Sequence, residues 1–382
     1  MRSGGCRFVV LGWFAAAAGC GDFEDPNIVI DLRVLAMSAE PPTQVLDVDL
    51  ADATRPIVPS KVLAQLRPTQ ICALVADPGR DRRLVWSLAM CPLADDERCA
   101  AGTEIPIASG ILDDPELALS TPQLCATAPP SGDLFTLLYN ALLDDMLRGL
   151  GGVRYGVQLQ VGGEGDDRAL DQYAVKTVEV VPRVSPDTQP NTNPKLRQID
   201  LGIDDRFAGT LALNVRCATD AHPLEIAPGT RIKLNPIESE GTRESYIAPT
   251  LDGSIQHFTE TMTYQWTASA GGFAAGTTGG AHDLLGNEPA LFNEYRAPTQ
   301  DELDGPLDVS IWLVQRDERY GAAWYVECVH VIPPPATSSN EPQVTSAVGR
   351  SRRSGSPRGG SGRGATADRS WASARGGTRP SR

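Results

Sequence analysis

The residues from which catalytic and metal sites are most often built are scarce in this chain. Four His are present, His222, His257, His282 and His330, and none stands in His-Glu-x-x-His or in any close pair. That removes the helix-borne zinc hydrolase signature. No Cys-x-x-Cys occurs, which weakens a zinc site as a use for the cysteines. There is no Gly-x-Ser-x-Gly elbow and no phosphate-binding glycine loop. Gly360-Ser361-Gly362-Arg363-Gly364 is tail composition and not a dinucleotide fingerprint. Past the first 20 residues no apolar run approaches the ~20 residues needed to cross a bilayer. The densest stretch, Leu134 to Leu150, is broken by Asp144, Asp145 and Arg148.

Basic residues are also few outside one place. The formal net charge is −14, yet Arg350 to Arg382 alone holds nine Arg against one Asp. The body is therefore more acidic than the total suggests. An acidic body argues against nucleic-acid binding through the folded part, because phosphate contacts need Lys and Arg. The tail is low in complexity, dominated by Arg, Ser and Gly, and cannot bury a core; it reads as disordered from residue 334 onward.

What is present begins with the leader. Arg2 and Arg7 precede an apolar core from Phe8 to Ala18, too short to span a membrane and fitting an export signal. Ala17-Ala18-Gly19-Cys20 follows, and it resembles the cleavage and lipid-attachment site of a bacterial lipoprotein, with Ala17 where Leu is usual. The resemblance implies acylation of Cys20, a palmitate-bearing anchor and attachment to a membrane through the first mature residue. Gly21, rather than Asp, after the cysteine points to the outer membrane. The alternative is ordinary secretion after Ala18, since Ala16-Ala17-Ala18 also fits a small-x-small site.

The cysteines then divide evenly. Cys6 leaves with the leader and Cys20 is taken by lipid. Cys72, Cys91, Cys99 and Cys125 remain in the first half, with Cys217 and Cys328 in the second. Even numbers in an oxidising compartment predict disulfides. Cys217–Cys328 would close nearly the whole second module, worth about 4–5 kcal/mol in the chain-entropy model. Of three connectivities in the first half, Cys91–Cys99 with Cys72–Cys125 is the one favoured.

Alternating apolar residues mark strands. They are seen at Ile28 to Ala36, Ile71 to Ala76, Leu84 to Leu88, Val153 to Val161, Tyr173 to Val181, Leu211 to Val215, Arg231 to Leu234, Tyr264 to Ala268, Leu307 to Val314 and Ala322 to Ile332. One helix is expected from about Asp133 to Gly149, capped by Ser131 or Asp133, with Leu134, Leu137, Leu138, Ala141 and Leu142 on one face. Asp144 and Asp145 oppose its dipole and Arg148 partly offsets them. Packing against a sheet is the plain reading of that face; a partner-binding groove is the sharper one. The expected organisation is a signal peptide at 1–19, a tether at 20–27, a β-sandwich module with a helical insertion at 28–182, a Pro-rich extended linker at 183–199, a second sandwich at 200–333, and the tail at 334–382.

Trp266 on a middle strand, the hairpin ending near Cys328, and the Cys72-to-Trp86 interval resemble immunoglobulin-like domains. Tyr155-Gly156-Val157 stands where such a fold often has Tyr-x-Cys, so the usual inter-sheet disulfide is absent and Cys72 needs another partner. Asp31-Leu32-Arg33-Val34-Leu35-Ala36 with Glu40-Pro41-Pro42, then Trp86, Cys91-Pro92 and Leu150-Gly151-Gly152-Val153-Arg154, resembles bacterial surface lipoproteins with tandem immunoglobulin-like domains. The resemblance implies an all-β architecture of two sandwich modules and a location. It carries no activity, ligand or catalytic residue.

Asp95-Asp96-Glu97, Asp113-Asp114, Asp144-Asp145, Asp166-Asp167 and Asp204-Asp205 are carboxylate pairs of a kind that can ligate calcium, but none has EF-hand spacing, and solvated turns explain them. No cofactor and no metal are expected. His282 in the glycine loop is the best isolated candidate for a functional histidine. Trp312, Trp324, Tyr320 and Tyr325 cluster on the closing hairpin; core packing explains most of them, and a sugar-binding face is the rival reading. The expected role is binding or scaffolding at the cell envelope, not catalysis, with an envelope protein or a glycan as partner and no nucleic acid on the folded modules. A carbohydrate-binding or adhesion module is the alternative, and an envelope hydrolase the third. Asp317 to Gly321 and Gly271 to Asn287 are the expected docking loops, because loops on a rigid sandwich carry function.

Overall fold

The computed structural model describes residues 25–48, 57–78, 82–94, 98–112, 124–147, 149–204, 206–215, 217, 223–250, 252 and 254–334. The fold is predominantly β, with several sheets and few short helices. The first half contributes β1 (Arg33–Glu40), β2 (Thr43–Leu46), β3 (Thr69–Ala76), β4 (Leu84–Cys91), β5 (Ile105–Leu112), β6 (Leu124–Ala128), β7 (Val153–Gly163) and β8 (Gln172–Pro182). The helices are α1 (Pro59–Leu63) and α2 (Gly132–Asp144). The second half contributes β9 (Leu196–Ile203), β10 (Arg206–Leu211), β11 (Leu224–Ile226), β12 (Arg231–Glu238), β13 (Ser245–Pro249), β14 (Ile255–Thr259) and β15 (Met262–Ala268). It is completed by β16 (Gly272–Phe273), β17 (Thr277–Gly279), β18 (Asn293–Arg296), β19 (Leu307–Asp317) and β20 (Ala322–Val331).

Four sheets stack in layers. Their orders are β2-β8-β7-β4-β5, β1-β3-β6, β11-β20-β19-β15-β17 and β10-β9-β12-β18-β16, and β13-β14 form a separate hairpin. Three apolar cores lie between them. The first joins Ile71, Ala73 and Val75 of β3 to Leu84 and Leu88 of β4 and Val157 and Leu159 of β7. The second joins Trp266 of β15 and Ile311 and Leu313 of β19 to Ile232 and Leu234 of β12 and Tyr295 of β18. The third lies between the halves and contains Val29, Leu35, Ala36, Leu74, Ala76, Trp312, Val314 and Val326, with Trp324 packed against it. Side chains alternate across a strand, so β3 sends Ile71, Ala73 and Val75 one way and Leu74 and Ala76 the other. β19 does the same with Ile311 and Leu313 against Trp312 and Val314. The two middle sheets are thus buried on both faces.

Several elements differ from the sequence reading. The first strand starts at Arg33, and the residues before it pair elsewhere: Ile28 forms a parallel bridge with Ala268, and Val29 N–H donates to Ala268 O at 2.8 Å. The chain therefore crosses the second half before entering the first. β1 ends at a cis Glu40–Pro41 peptide, and β2 joins the outer sheet parallel to β8. The expected linker at 183–199 gives way to β9 from Leu196, because Leu196, Ile199 and Leu201 are buried in the second core. Besides the expected helix there is the short α1, opened by Pro59 at its start, where proline's missing N–H leaves no bond unmade. α2 itself stops at Asp144. Ser131 Oγ accepts Leu134 N–H at 3.1 Å to cap it, and the Asp145 carboxylate accepts Leu147 N–H and Gly149 N–H beyond it.

Disulfides link Cys72 to Cys125, Cys91 to Cys99 and Cys217 to Cys328. Cys72 and Cys125 face each other directly across β3 and β6, within one sheet. Gly156 of β7 leaves the space that Cys91 Sγ occupies; a Cβ there would stand 2.8 Å from the sulfur. Cys217 follows β10 and bonds back to β20. Trp86, set beside Cys72 by the immunoglobulin resemblance, is only half-buried and lies over Gly110. Residues 1–24, with the expected signal segment and Cys20, and the tail from residue 335 lie outside the described residues.

The third core makes a direct prediction. Trp312 is fully buried in it. Trp312→Ala should cost about 3–5 kcal/mol of unfolding free energy, measured by guanidinium denaturation of the whole chain. A loss under about 1 kcal/mol would mean that the core between the halves contributes little.

Candidate functional site

The turn from Asp317 to Gly321, expected as a ligand loop, is instead the polar hub of the molecule. Its form is local. The Asp317 carboxylate accepts the Arg319 N–H at 2.7 Å and the Gly321 N–H at 2.7 Å, and Tyr320 takes a left-handed φ of 71°. Asn191 Nδ2 donates to the same carboxylate at 3.1 Å and to Arg319 O at 2.8 Å. From the first half, Lys176 Nζ of β8 donates to Tyr320 O, and Arg154 Nη1 of β7 donates to the Tyr320 hydroxyl at 2.6 Å. Arg319 reaches Glu260 at 3.2 Å and Glu244 at 3.6 Å and lies over the Tyr246 ring at 4.8 Å. Glu318 accepts the Tyr246 and Thr261 hydroxyls at 2.7 and 2.8 Å. Asn193 closes the hub: its Oδ1 accepts Ala322 N–H at 2.9 Å, and its Nδ2 donates to Ala39 O at 2.8 Å.

Burial sets the electrostatics here. It pushes the Lys176 ammonium down to about 8, with Asp317 opposing and Arg316 reinforcing that shift. It raises Asp317 despite three donors on its carboxylate. It pushes Glu260 up to about 7, where Glu244 N–H and Arg319 favour the charged form while Asp317 and Glu244 oppose it. A cleft of about 390 Å³ lies beside the turn, walled by Val34 to Met37, Ala174 to Thr177 and Arg316 to Glu318. Its charges answer one another, and its lysine already donates to a carbonyl.

Two other concavities stand out. One, of about 660 Å³, is bounded by the N-terminal segment at Ile28 and Ile30, by Gly271 to Ala274, and by Arg231, Glu294 and Arg296. Gly271 has φ +80°, and a Cβ there would stand 2.5 Å from Arg296 O, so this wall requires glycine. The other, about 60 Å³, is an apolar groove between α1, α2 and the ends of β7 and β8, lined by residues such as Val48, Ile57, Phe135, Tyr139, Leu142 and Val181.

The sequence candidates fall in scattered places. His282 is half-exposed in its loop, 3.6 Å from Glu288; His330 pairs with Asp308; His257 is exposed on β14; His222 lies outside the described residues. Asp95-Asp96-Glu97 and Asp113-Asp114 also lie outside them. Asp166 pairs with Arg82, and Asp167 accepts Ala169 N–H to cap a short 3-10 turn. Among the described residues no group of three His, Cys, Asp or Glu is placed to hold a metal ion. The four hairpin aromatics make no sugar platform. Trp312 and Trp324 serve the third core, Tyr325 is buried with its hydroxyl accepting Leu196 N–H at 2.6 Å, and Tyr320 is bound into the hub. Asn191, Asn193, Lys176 and Glu260 were not singled out from the sequence. The two asparagines, set among prolines, read only as linker composition.

No family model matches the chain, and no curated protein matches it. Among solved structures, native E. coli alpha-2-macroglobulin is similar at 11% identity over 81% of this chain, with a TM-score of 0.20. This chain spans 17% of that one. A partial N-terminal region of an enterococcal surface protein is similar at 8% identity, covering 83% of this chain and 98% of that one, with a TM-score of 0.22. Extracellular cadherin domains 1–4 of protocadherin gamma B7 give 8% identity, 78% and 49% coverage and a TM-score of 0.16. The likeness is weak, is to β-rich surface and extracellular proteins, and identifies no particular lipoprotein family. At these TM-scores it supports no functional reading.

Glu260 provides a test of the hub. A carboxyl raised from its ordinary value to about 7 contributes stability that is complete below the ordinary value and is lost as pH rises through 7. Asp317 acts in the same sense; Lys176, lowered to about 8, acts in the opposite sense and at higher pH. The denaturation midpoint should therefore rise as pH falls from about 8 to about 5, and Glu260→Gln should flatten that slope. A variant that keeps the full slope would show that another group carries it.

Proposed function

We propose that this is an exported, lipid-anchored protein of the cell envelope, placed at the outer membrane by acylation of Cys20, that binds or scaffolds through two immunoglobulin-like sandwiches held as one rigid unit. Binding, not catalysis, is its role in this reading. The observation that carries it is the pinning of the N-terminal segment onto β15: Ala268 N–H donates to Asn27 O and Val29 N–H to Ala268 O. Asp25, where the described chain begins, stands five residues after Cys20. Five extended residues reach at most ~18 Å. An anchor at Cys20 would hold the body close to the bilayer, and the docked segment would transmit that hold to a sheet buried on both faces.

The leader supplies the anchor's chemistry, and the even division of the remaining cysteines into three bridges supports it. A free Cys20 would be the odd thiol in an exported chain. Two or more acyl chains give stable attachment where one is marginal.

Expressed with its own leader, the wild-type protein should partition with membranes and yield an acylated N-terminal cysteine by mass spectrometry. Cys20→Ser should abolish processing at that site or release the protein to the soluble fraction, with all three disulfides retained. A variant that stays membrane-bound and normally processed would refute the anchor.

A further inference from the structure

α2 is a helix with more apolar surface than its core requires. Leu134, Leu137 and Leu138 fill the first core. Past them, where a surface helix turns polar residues to water, the chain carries Tyr139, Leu143, Met146 and Leu147. Tyr139 and Leu147 are exposed, Leu143 is 66% exposed and Met146 96%. Beside them runs the apolar groove, in which Tyr139 and Leu142 meet Val48 and Ile57. Exposed apolar side chains scattered singly need no explanation, but several clustered beside a concave apolar groove mark an interaction surface. An adaptable Met at its edge is typical of such surfaces.

The described charges on the α2 side of this surface are acidic, whereas α1 carries Lys61 in its last turn. Asp133 lies in the first turn of α2 and Asp144 in the last, where no described residue is basic. Asp145 follows as the C-cap. Carboxylates at a helix C-terminus add to the negative end of its dipole, and an incoming cation would be favoured there. On the opposite bank Asp47 pairs with Arg183 at 2.5 Å. A second copy of this acidic chain would bring like charges together here, and an anionic lipid surface would be repelled.

We propose that the groove between α1 and α2 docks a basic amphipathic helix of a partner protein, its apolar stripe lying along Tyr139, Leu142, Leu143 and Met146 and its Lys or Arg side chains meeting Asp144 and Asp145. Helix-in-groove docking needs an apolar trough to take the anchors of the incoming helix, and the trough is present. This gives the binding role proposed above a site and a partner chemistry. It rests on that reading only for the compartment in which the partner is met.

The test uses the purified chain and a fluorescent Leu–Lys amphipathic peptide of about five helical turns. Anisotropy should show saturable one-to-one binding. A scrambled peptide of the same composition should bind about tenfold more weakly, which separates docking from simple attraction to an acidic protein. Leu143→Glu with Met146→Glu should weaken the amphipathic peptide by at least about tenfold while leaving the thermal melt unchanged, since both side chains are exposed. Asp144→Lys should weaken it with the apolar face intact. Equal affinity for the scrambled peptide, equal affinity of the Leu143→Glu/Met146→Glu variant, or binding to anionic vesicles in preference to the peptide would overturn the proposal. None of these outcomes depends on Cys20, so the anchor and the groove fail or stand separately.

Discussion

The rest of the structure depends on the face-to-face burial of two sheets that each already cover another core. β1 and β3 on one side and β19 and β20 on the other meet through Leu35, Ala36, Leu74, Ala76, Trp312, Val314 and Val326. A sheet as small as three strands depends on packing of its apolar face for stability. Here β1-β3-β6 is covered on both faces and stapled by Cys72–Cys125 across β3 and β6. Neither half is complete without the other. The first half's central sheet needs the second half as its cover, and the N-terminal segment pairs with β15 before β1 begins. Such an arrangement is dominated by contacts distant in sequence, which slows folding because loops must close before contacts form.

An apolar interface has no preferred direction, and two greasy sheets can slide. The hub supplies direction. Asp317, Asn191 and Asn193 place hydrogen bonds at one end of the third core, and Lys176 and Arg154 reach into it from the other half. These bonds are made in low dielectric, where a paired group is held strongly and an unpaired one is costly. The raised Glu260 and Asp317 and the lowered Lys176 record what that placement costs each charge. The polar turn is therefore a clasp, and its polarity does not mean exposure.

That distinction explains what the sequence reveals and what it hides. β7 and β8 alternate clearly because one face meets a core and the other does not, and they were legible at once. Ile71 to Ala76 and Ile311 to Val314 contain no charged or amide side chain at all. Both runs read as strands, but the absence of alternation, the one sign of burial on two faces, points to a third core only once a second such run is set against it. Asp317 to Gly321 read as a docking loop because five polar or small residues between strands look solvated. Their partners lie more than a hundred residues away at Lys176, Arg154 and Asn191, and local pattern carries no trace of such pairing. The aromatics of the closing hairpin read mainly as core, and they are: Trp312 and Trp324 lie on the face opposite the second core, which the other half occupies. The face of α2 was legible as apolar, whereas its excess over what the core uses was not, since the pattern does not tell where packing ends.

The layering also sorts the surfaces left for function. The segment from Asn27 to Val29 runs along β15, in the third layer. α2 closes the first core, and the central three-stranded sheet and the third core stand between the two. Packed sheets lie about 10 Å apart, so the apolar groove lies well away from β15 and the N-terminal segment paired with it. With both middle sheets buried and most of the hub's polar groups bonded to one another, the core faces and the clasp are committed to the partners they have. Adaptable surface remains at the periphery, and the rigid stack fixes where that periphery points.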